Sequence, residues 1–383
     1  MGGRLECRRG IHPPTGRRSS VTPEGRTTGW RSWNVAITGM NAQPDNPAPG
    51  MAVARCLRQH PEFHGRLIAL GYDALDAGLY HEQSCDEAFL LPYPSMGEAP
   101  LLERLQEIHQ AVPLDAVIPC LDAELANYQG LQPALEGMGI AAMLPSRCAL
   151  AARGKERLAT LCETAGIETP ETRTVNDLSF FDKCHQSGWT YPLVIKGRAI
   201  DAQLAYNAEQ AKAASWRIAK QYGHSVLVQR FVPGYEVNLS AVCDIESTLL
   251  GAVMMRKRAT TDKGKAWAGI TIEDPELLAM AQTLVSHLSW QGPLEVEALR
   301  GDDGKLYLVE INPRFPSWIY LSHAAGRNLP VLLMRLLAKE SCPDLPAVKR
   351  GTQFIRHAQD VVVDLERWAT MVTTGNQTPP PAR

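Results

Sequence analysis

Carboxylates, an amide and a guanidinium crowd one stretch of the chain, Gly292-Pro-Leu-Glu-Val-Glu-Ala-Leu-Arg-Gly-Asp-Asp-Gly-Lys-Leu-Tyr-Leu-Val-Glu-Ile-Asn-Pro-Arg314. The Gly301-Asp-Asp-Gly304 turn is able to join two antiparallel strands as a hairpin. Alternation along those strands then puts Glu295 and Glu297 on one face of the first, and Glu310, Asn312 and Arg314 on one face of the second. Like charges that close raise one another's pKa unless a cation compensates. Hard oxygen ligands beside a phosphate are what Mg²⁺ takes, and an arginine next to them suits a phosphorylated or carboxylate intermediate. Read alone, the same residues also describe an ordinary solvated hairpin face.

The remaining elements have to hold such a cluster in place. From Trp33 onward short β-type runs alternate with helical ones, which predicts parallel α/β structure. Strands are expected at 34–38, 66–70, 88–91, 115–119 and 140–144, with helices at 51–60, 101–110 and 122–137. The Gly/Asn/Pro-rich turn 39–50 lacks the G-x-G-x-x-G spacing and reads as a substrate-facing loop rather than a dinucleotide site. Further helices are expected at 155–165, 178–187, 208–222, 275–289 and within 317–338. Further strands are expected at 172–175, 193–196, 225–231, 235–244, 248–255, 294–299 and 305–311. Residues 256–269 read as a polar stretch, and the tail holds a strand at 354–357, a short helix and a Pro-rich end.

At 383 residues the chain exceeds what one hydrophobic core usually supports. Apolar residues at 45% and charged residues at 21% exclude a disordered or fibrous protein. The formal net charge of −2 conceals an asymmetry. Residues 1–33 carry Arg4, Arg8, Arg9, Arg17, Arg18, Arg26 and Arg31 against Glu6 and Glu24, a local +5 that leaves −7 for the rest. This leader has no apolar run and no hydrophobic period, so it is expected to be disordered and to take no part in the chemistry. The acidic body excludes a basic nucleic-acid binder for residues 34–383. Nine scattered cysteines without a C-x-x-C pair read as reduced thiols. No stretch approaches the ~18 uninterrupted apolar residues of a membrane helix, which points to a cytoplasmic protein.

Glu-Ile-Asn-Pro-Arg314 after a Gly-bounded hairpin, with Glu297 thirteen residues before Glu310, resembles the metal-binding signature of the ATP-grasp superfamily. The resemblance extends over residues 34–340 and implies an α/β fold, α+β in the nucleotide lobes, in which a Rossmann-like N-terminal domain precedes a two-lobed ATP-grasp fold. The implied division is a leader at 1–33, the Rossmann-like domain at 34–145, a central lobe at 146–228, a C-terminal lobe with the metal site at 229–340, and an extension at 341–383. Lys155, in Arg153-Gly-Lys-Glu-Arg-Leu, fits the family's first lysine, and Lys196, ending Tyr191-Pro-Leu-Val-Ile-Lys, fits the second. Both supply point charges for phosphate oxygens. Within Val226-Leu-Val-Gln-Arg-Phe-Val-Pro-Gly-Tyr-Glu-Val-Asn238, the resemblance assigns Gln229 to the adenine amino group, Phe231 and Val232 to backbone contacts with adenine, and Glu236 to the ribose hydroxyls. It makes Glu297, Glu310 and Asn312 the metal ligands, Glu295 a reserve ligand, and Arg314 with Lys196 the catalytic pair. Val117-Ile-Pro-Cys-Leu-Asp-Ala-Glu124 matches a stretch of the family's N-terminal domain.

One departure stands out. Where the family carries a Gly/Ser-rich loop over the phosphates, the sequence here is Lys196-Gly-Arg-Ala-Ile-Asp-Ala-Gln-Leu-Ala-Tyr-Asn207, with one glycine. Either Arg198 and the basic stretch 256–265 supply charge instead of backbone N–H groups, or turnover is altered. The resemblance implies ATP and Mg²⁺, with Mn²⁺ as a substitute, and small-molecule carboxylate and amine substrates joined through an acyl phosphate. The carbamoyl-phosphate-synthetase-like and amino-acid ligase branch fits best; no biotin-carrier segment is visible for a biotin-carboxylase-like role. A homodimer is compatible with this reading. The alternative is a nucleotide-binding regulatory or scaffold protein with a degenerate ATP-grasp site, and a third reading has the arginine leader recruit nucleic acid.

Overall fold

The computed structural model describes residues 29–377 apart from Gln83, 198–201 and 223–225. Most of the expected leader, Arg198 and the Pro-rich end lie outside the described residues. Strands β1 (Asn34–Ile37), β2 (Arg66–Gly71), β3 (Glu87–Leu90) and β4 (Ala116–Ile118) are apolar at nearly every position and pair in parallel. Such runs must be covered on both faces. Helices Gly50–Arg58, Tyr320–Ala324 and Leu329–Leu337 contribute to the core on one side, and Glu98–Ala111, Leu125–Gly130 and Gln132–Gly137 to the core on the other. The helix expected over 122–137 is broken because Pro133 cannot donate within a continuing helix and instead sits in the first turn of a new one. The strand expected at 140–144 is reduced to a bridge between Ala116 and Ala141.

A second sheet has the order β5-β8-β6-β7, from β5 (Thr172–Val175), β6 (Leu193–Lys196), β7 (Ala202–Ala205) and β8 (Val226–Arg230). Its neighbours are antiparallel, and helix Ala208–Tyr222 covers it through Ala211, Ala214 and Ile218. The third sheet runs β13-β12-β9-β10-β11-β14, from β9 (Gly234–Cys243), β10 (Leu249–Thr260), β11 (Ala266–Ile272), β12 (Gly292–Gly301), β13 (Leu306–Asn312) and β14 (Gln353–Ile355). Helix Pro275–Leu288 packs on it, started by Asp274, whose side chain accepts from the Leu277 N–H. Residues 256–269 are therefore not a polar loop: β10 carries its charged residues to Thr260, turns, and returns as β11. A final strand, β15 (Asn376–Gln377), lies antiparallel on β3, so the first sheet reads β15-β3-β2-β1-β4.

The disorder expected through residue 33 does not hold at Trp30, which is buried, stacks on Phe63 and donates from Nε1 to Glu340 at 3.0 Å. Among the described residues no helix is long and apolar enough to cross a membrane. The described cysteines are all free, and most are buried.

Candidate active site

The hairpin brings its chemistry together by register. Across β12 and β13, Glu295 faces Asn312 and Glu297 faces Glu310. On the other flank of β12, β9 sets Ser240 opposite Glu295 and Asn238 opposite Glu297. Glu295 is 4% exposed and surrounded by donors. Its Oε1 accepts from Trp318 Nε1 at 2.7 Å and Asn238 Nδ2 at 2.9 Å, and its Oε2 from Asn312 Nδ2 at 3.0 Å and Arg314 Nη1 at 3.4 Å. Burial and the neighbouring Glu297 push the Glu295 pKa up in spite of Arg314. With both oxygens occupied, Glu295 ties β9, β12, β13 and the segment after Arg314 together, and the expectation of a reserve metal ligand gives way to a framework role.

Glu297 and Glu310 are different. Glu297 accepts from Asn312 Nδ2 at 2.9 Å and pairs with Lys257 at 3.1 Å, while Glu310 lies 3.5 Å from the Lys155 ammonium. Burial opposes ionisation of Glu297, but Lys257 and then Lys265 outweigh it and hold its pKa below the usual carboxylate range. Because Asn312 spends its Nδ2 on Glu295 and Glu297, its Oδ1 is left beside two carboxylates. Asn238 Oδ1 is buried without a hydrogen-bond partner one strand away. An acceptor stranded next to paired acids suits a cation, so the residues present fit a hard divalent ion. Among the described residues no group of three His, Cys, Asp or Glu side chains is placed to hold a metal, which leaves the pair of carboxylates with the amide as the candidate set.

Lys257 was hidden in the basic stretch. Its side chain is 7% exposed and bridges Glu236 and Glu297. Burial alone would lower its pKa, but Glu297 and Glu236 reverse that and raise it. Glu236, expected at the ribose, is thus occupied by an ammonium. Replacing Lys257 by methionine leaves two neighbouring acids, Glu236 and Glu297, without the ammonium between them, so the variant melts at lower temperature, and Mg²⁺ with ADP recovers more stability than in the parent protein. Differential scanning fluorimetry with and without Mg²⁺ checks this; an equal ligand-induced shift in both proteins contradicts it.

Lys155, Lys196, Gln229, Thr172 and Leu227 line a common recess. Gln229 is buried and donates to the Thr172 hydroxyl at 2.9 Å, which fixes its amide. Phe231 and Val232 follow the last residue of β8, with Phe231 largely exposed. Burial, then the nearby Lys155 charge, lower the Lys196 pKa to about 8, against Glu310, Glu297 and Glu236. Between that pKa and the ordinary lysine range, the unfolded chain holds a proton that the folded chain has lost, so the ligand-free fold gains stability as pH rises through this window. The phosphate-binding role that the family resemblance gives Lys196 needs the charged form. Affinity for ADP therefore weakens above about pH 8, approaching tenfold per pH unit, and Lys196→Arg flattens the profile. Calorimetric titration from neutral to alkaline pH tests this, and a flat parent profile contradicts it.

Arg314 is 11% exposed at its side chain and is held from β12 and from the turn that follows β4. Its Nε donates to Asp122 Oδ1 at 2.8 Å and its Nη1 contacts Glu295 and the Phe315 carbonyl. Asp122 and Lys257 are the site residues that the motif reading did not assign.

A family model described as ATP-grasp in the biosynthetic pathway with Ter operon matches residues 223–360, the span that holds β9 to β14 and the candidate ligands. Over those residues the chain is similar to that ATP-grasp family. The carbamoyl phosphate synthase large chain of Vibrio vulnificus is 25% identical to this chain over 241 residues, and that of Vibrio cholerae is 24% identical. The matched region covers 57% of the chain and 22% of those relatives, so it corresponds to about a fifth of their length. Among solved structures, biotin carboxylase from Campylobacter jejuni, as a β,γ-ATP complex, has a TM-score of 0.64 at 14% identity, covering 84% of this chain and 75% of that one. L-amino acid ligase from Bacillus licheniformis has a TM-score of 0.58 at 18% identity, covering 80% and 74%. These likenesses are of fold, and the ATP-grasp arrangement is the one expected from the hairpin signature.

Proposed function

We propose that the chain is an ATP-dependent ligase that activates a small-molecule carboxylate as an acyl phosphate and joins it to an amine, releasing ADP and phosphate. The observation that carries this reading is Glu297 directly opposite Glu310, with Asn312 beside them and buried Arg314 alongside. Lys155 and Lys196 in the adjoining recess hold phosphate oxygens, Gln229, Phe231 and Val232 take the adenine, and Glu236 takes the ribose once Lys257 yields it. Glu297, Glu310 and Asn312 would hold Mg²⁺, which supplies charge neutralisation at the phosphates when bound.

In the first step a substrate carboxylate oxygen attacks the γ-phosphorus, the bond to the β-bridging oxygen breaks, and ADP leaves. In the second the amine nitrogen attacks the acyl carbon, phosphate leaves with the bonding pair, and the nitrogen gives up a proton. Arg314 faces negative charge in both steps and is already oriented, so it stabilises that charge without reorganisation. The names of the similar proteins, an L-amino acid ligase and a carbamoyl phosphate synthase among them, support chemistry of this class. We place the protein in the cytoplasm, as a homodimer in one version of this reading.

ADP release measured across a matrix of small acids and amines, with mass spectrometry of the product, tests the proposal. If ATP binds with Mg²⁺ but no pair gives ADP, the glycine-poor segment after Lys196 favours the second reading, a regulatory or scaffold protein that kept only the nucleotide site.

A further inference from the structure

Arg314 lies two residues beyond β13 of the third sheet, yet its shortest bond goes to the turn that follows β4 of the first. Asp122 follows β4 in the turn Leu121-Asp-Ala-Glu124, and its Oδ1 accepts from Arg314 Nε at 2.8 Å. The other oxygen pairs with Arg153 Nη1 at 3.0 Å, and the same Nη1 donates to the Ile311 carbonyl at 3.2 Å, between Glu310 and Asn312. Glu295 contacts Arg314 at the longer distance of 3.4 Å. Burial would raise the Asp122 pKa, but Arg314 and then Arg153 outweigh it and keep the carboxylate ionised.

The turn that presents Asp122 is itself held from within. Glu124 is fully buried, and its Oε1 accepts from the Cys120 and Leu121 N–H groups, both at 2.9 Å, and from the Thr38 hydroxyl. Its Oε2 accepts from the Tyr72 hydroxyl. Thr38 and Tyr72 directly follow β1 and β2, so the ends of three neighbouring strands fix the loop. Charge is one part of what Asp122 does, because it comes before Glu295 and Glu297 among the acids that keep the buried Arg314 protonated. What Asp122 adds beyond charge is direction: a bond at Nε sets the plane of the guanidinium. No hydrogen bond of Nη2 is found among the described residues, which leaves that nitrogen for substrate.

We infer that Asp122 is a positioning residue, which orients Arg314 for the acyl-phosphate chemistry and makes the first sheet a working part of the site. This inference rests on the ligase reading above. A displaced guanidinium costs turnover more than nucleotide binding, because Arg314 meets the transferring group and not the adenosine. Asp122→Ala is expected to lower kcat on the order of tenfold to a hundredfold, with the Kd for ADP within about twofold of the parent value. Asp122→Asn keeps an acceptor for Nε and recovers part of the rate, which also guards against a folding defect in the alanine variant. In the Arg314→Ala background, assayed at high enzyme concentration, the same Asp122→Ala change costs less than about twofold, since a group acting through Arg314 has nothing left to act on.

A readout independent of turnover is the arginine Nε–H spectrum of ¹⁵N-labelled protein. The slowly exchanging Arg314 signal, assigned by its absence in Arg314→Lys, disappears in Asp122→Ala and persists in Asp122→Asn. Unchanged kcat in Asp122→Ala, an equal loss with and without Arg314, or a persistent Nε–H signal overturns the inference. If the parent protein forms no ADP from any acid–amine pair, the ligase reading fails and the catalytic purpose assigned to Asp122 fails with it. The Nε–H signal then decides separately whether Asp122 holds Arg314.

Discussion

Glu310→Gln loses on the order of a hundredfold to a thousandfold in ADP-forming turnover while its melting temperature stays near that of the parent protein. Glutamine preserves the shape of the side chain and its place opposite Glu297 in the hairpin ladder. It removes the negative charge that a divalent ion and the Lys155 ammonium both use. The side chain is partly exposed, so the lost ion pair with Lys155 contributes little to folding. The deficit therefore falls on catalysis, as a higher Mg²⁺ requirement and a lower limiting rate. Steady-state ADP release titrated with Mg²⁺, alongside a thermal melt, separates the two. Turnover within about threefold of the parent at saturating Mg²⁺ removes Glu310 from the metal set and weakens the ligase proposal with it.

Glu295→Ala produces the opposite division, a large loss of stability of roughly 3–5 kcal/mol. Four donors converge on Glu295: the amides of Asn238 and Asn312, the Trp318 indole and Arg314. Alanine leaves all four buried around the vacated space, and unpaired buried donors are expensive. Arg314 also loses one of its two anchoring carboxylates. Urea denaturation monitored by tryptophan fluorescence measures the difference, and Trp318 reports locally. A loss under about 1 kcal/mol means that the donors find other partners and that Glu295 is free to act as a ligand after all.

The hairpin was legible because its signals are local. Alternation has a period of two, Gly301 and Gly304 mark the turn, and Gly304 indeed takes a positive φ of 82°. Glu295, Glu297, Glu310 and Asn312 follow from those facts alone. Lys257 did not, since residues 256–265 read only as a basic stretch that supplies charge near the phosphates, with no one side chain set apart. Its burial is offset by acids on β9 and β12, and nothing local announces such partners. Asp122 was hidden by a helical pattern that in fact starts later, at Leu125, and its partner Arg314 is 192 residues away. The Ala-Gln-Leu-Ala run of β7 carries weak strand propensity and pairs because β6 offers it an edge. Trp30 was submerged in arginine-rich composition, although the residue itself is apolar and packs into the core.

The buried Trp30 and the short β15 strand have a consequence for the order in which this chain becomes a protein. Residues 34–118 contain every parallel strand of the first sheet, and they leave the ribosome early. Yet the indole of Trp30 waits for Glu340, and the open edge of β3 waits for Asn376 and Gln377. During synthesis this sheet is thus completed only after the second and third have emerged, and its exposed edge and uncovered apolar face persist until residues 329–337 and 376–377 follow. Aggregation of nascent or truncated chains is a hazard built into this wiring, concentrated at β3 and at the face later covered by helix Leu329–Leu337.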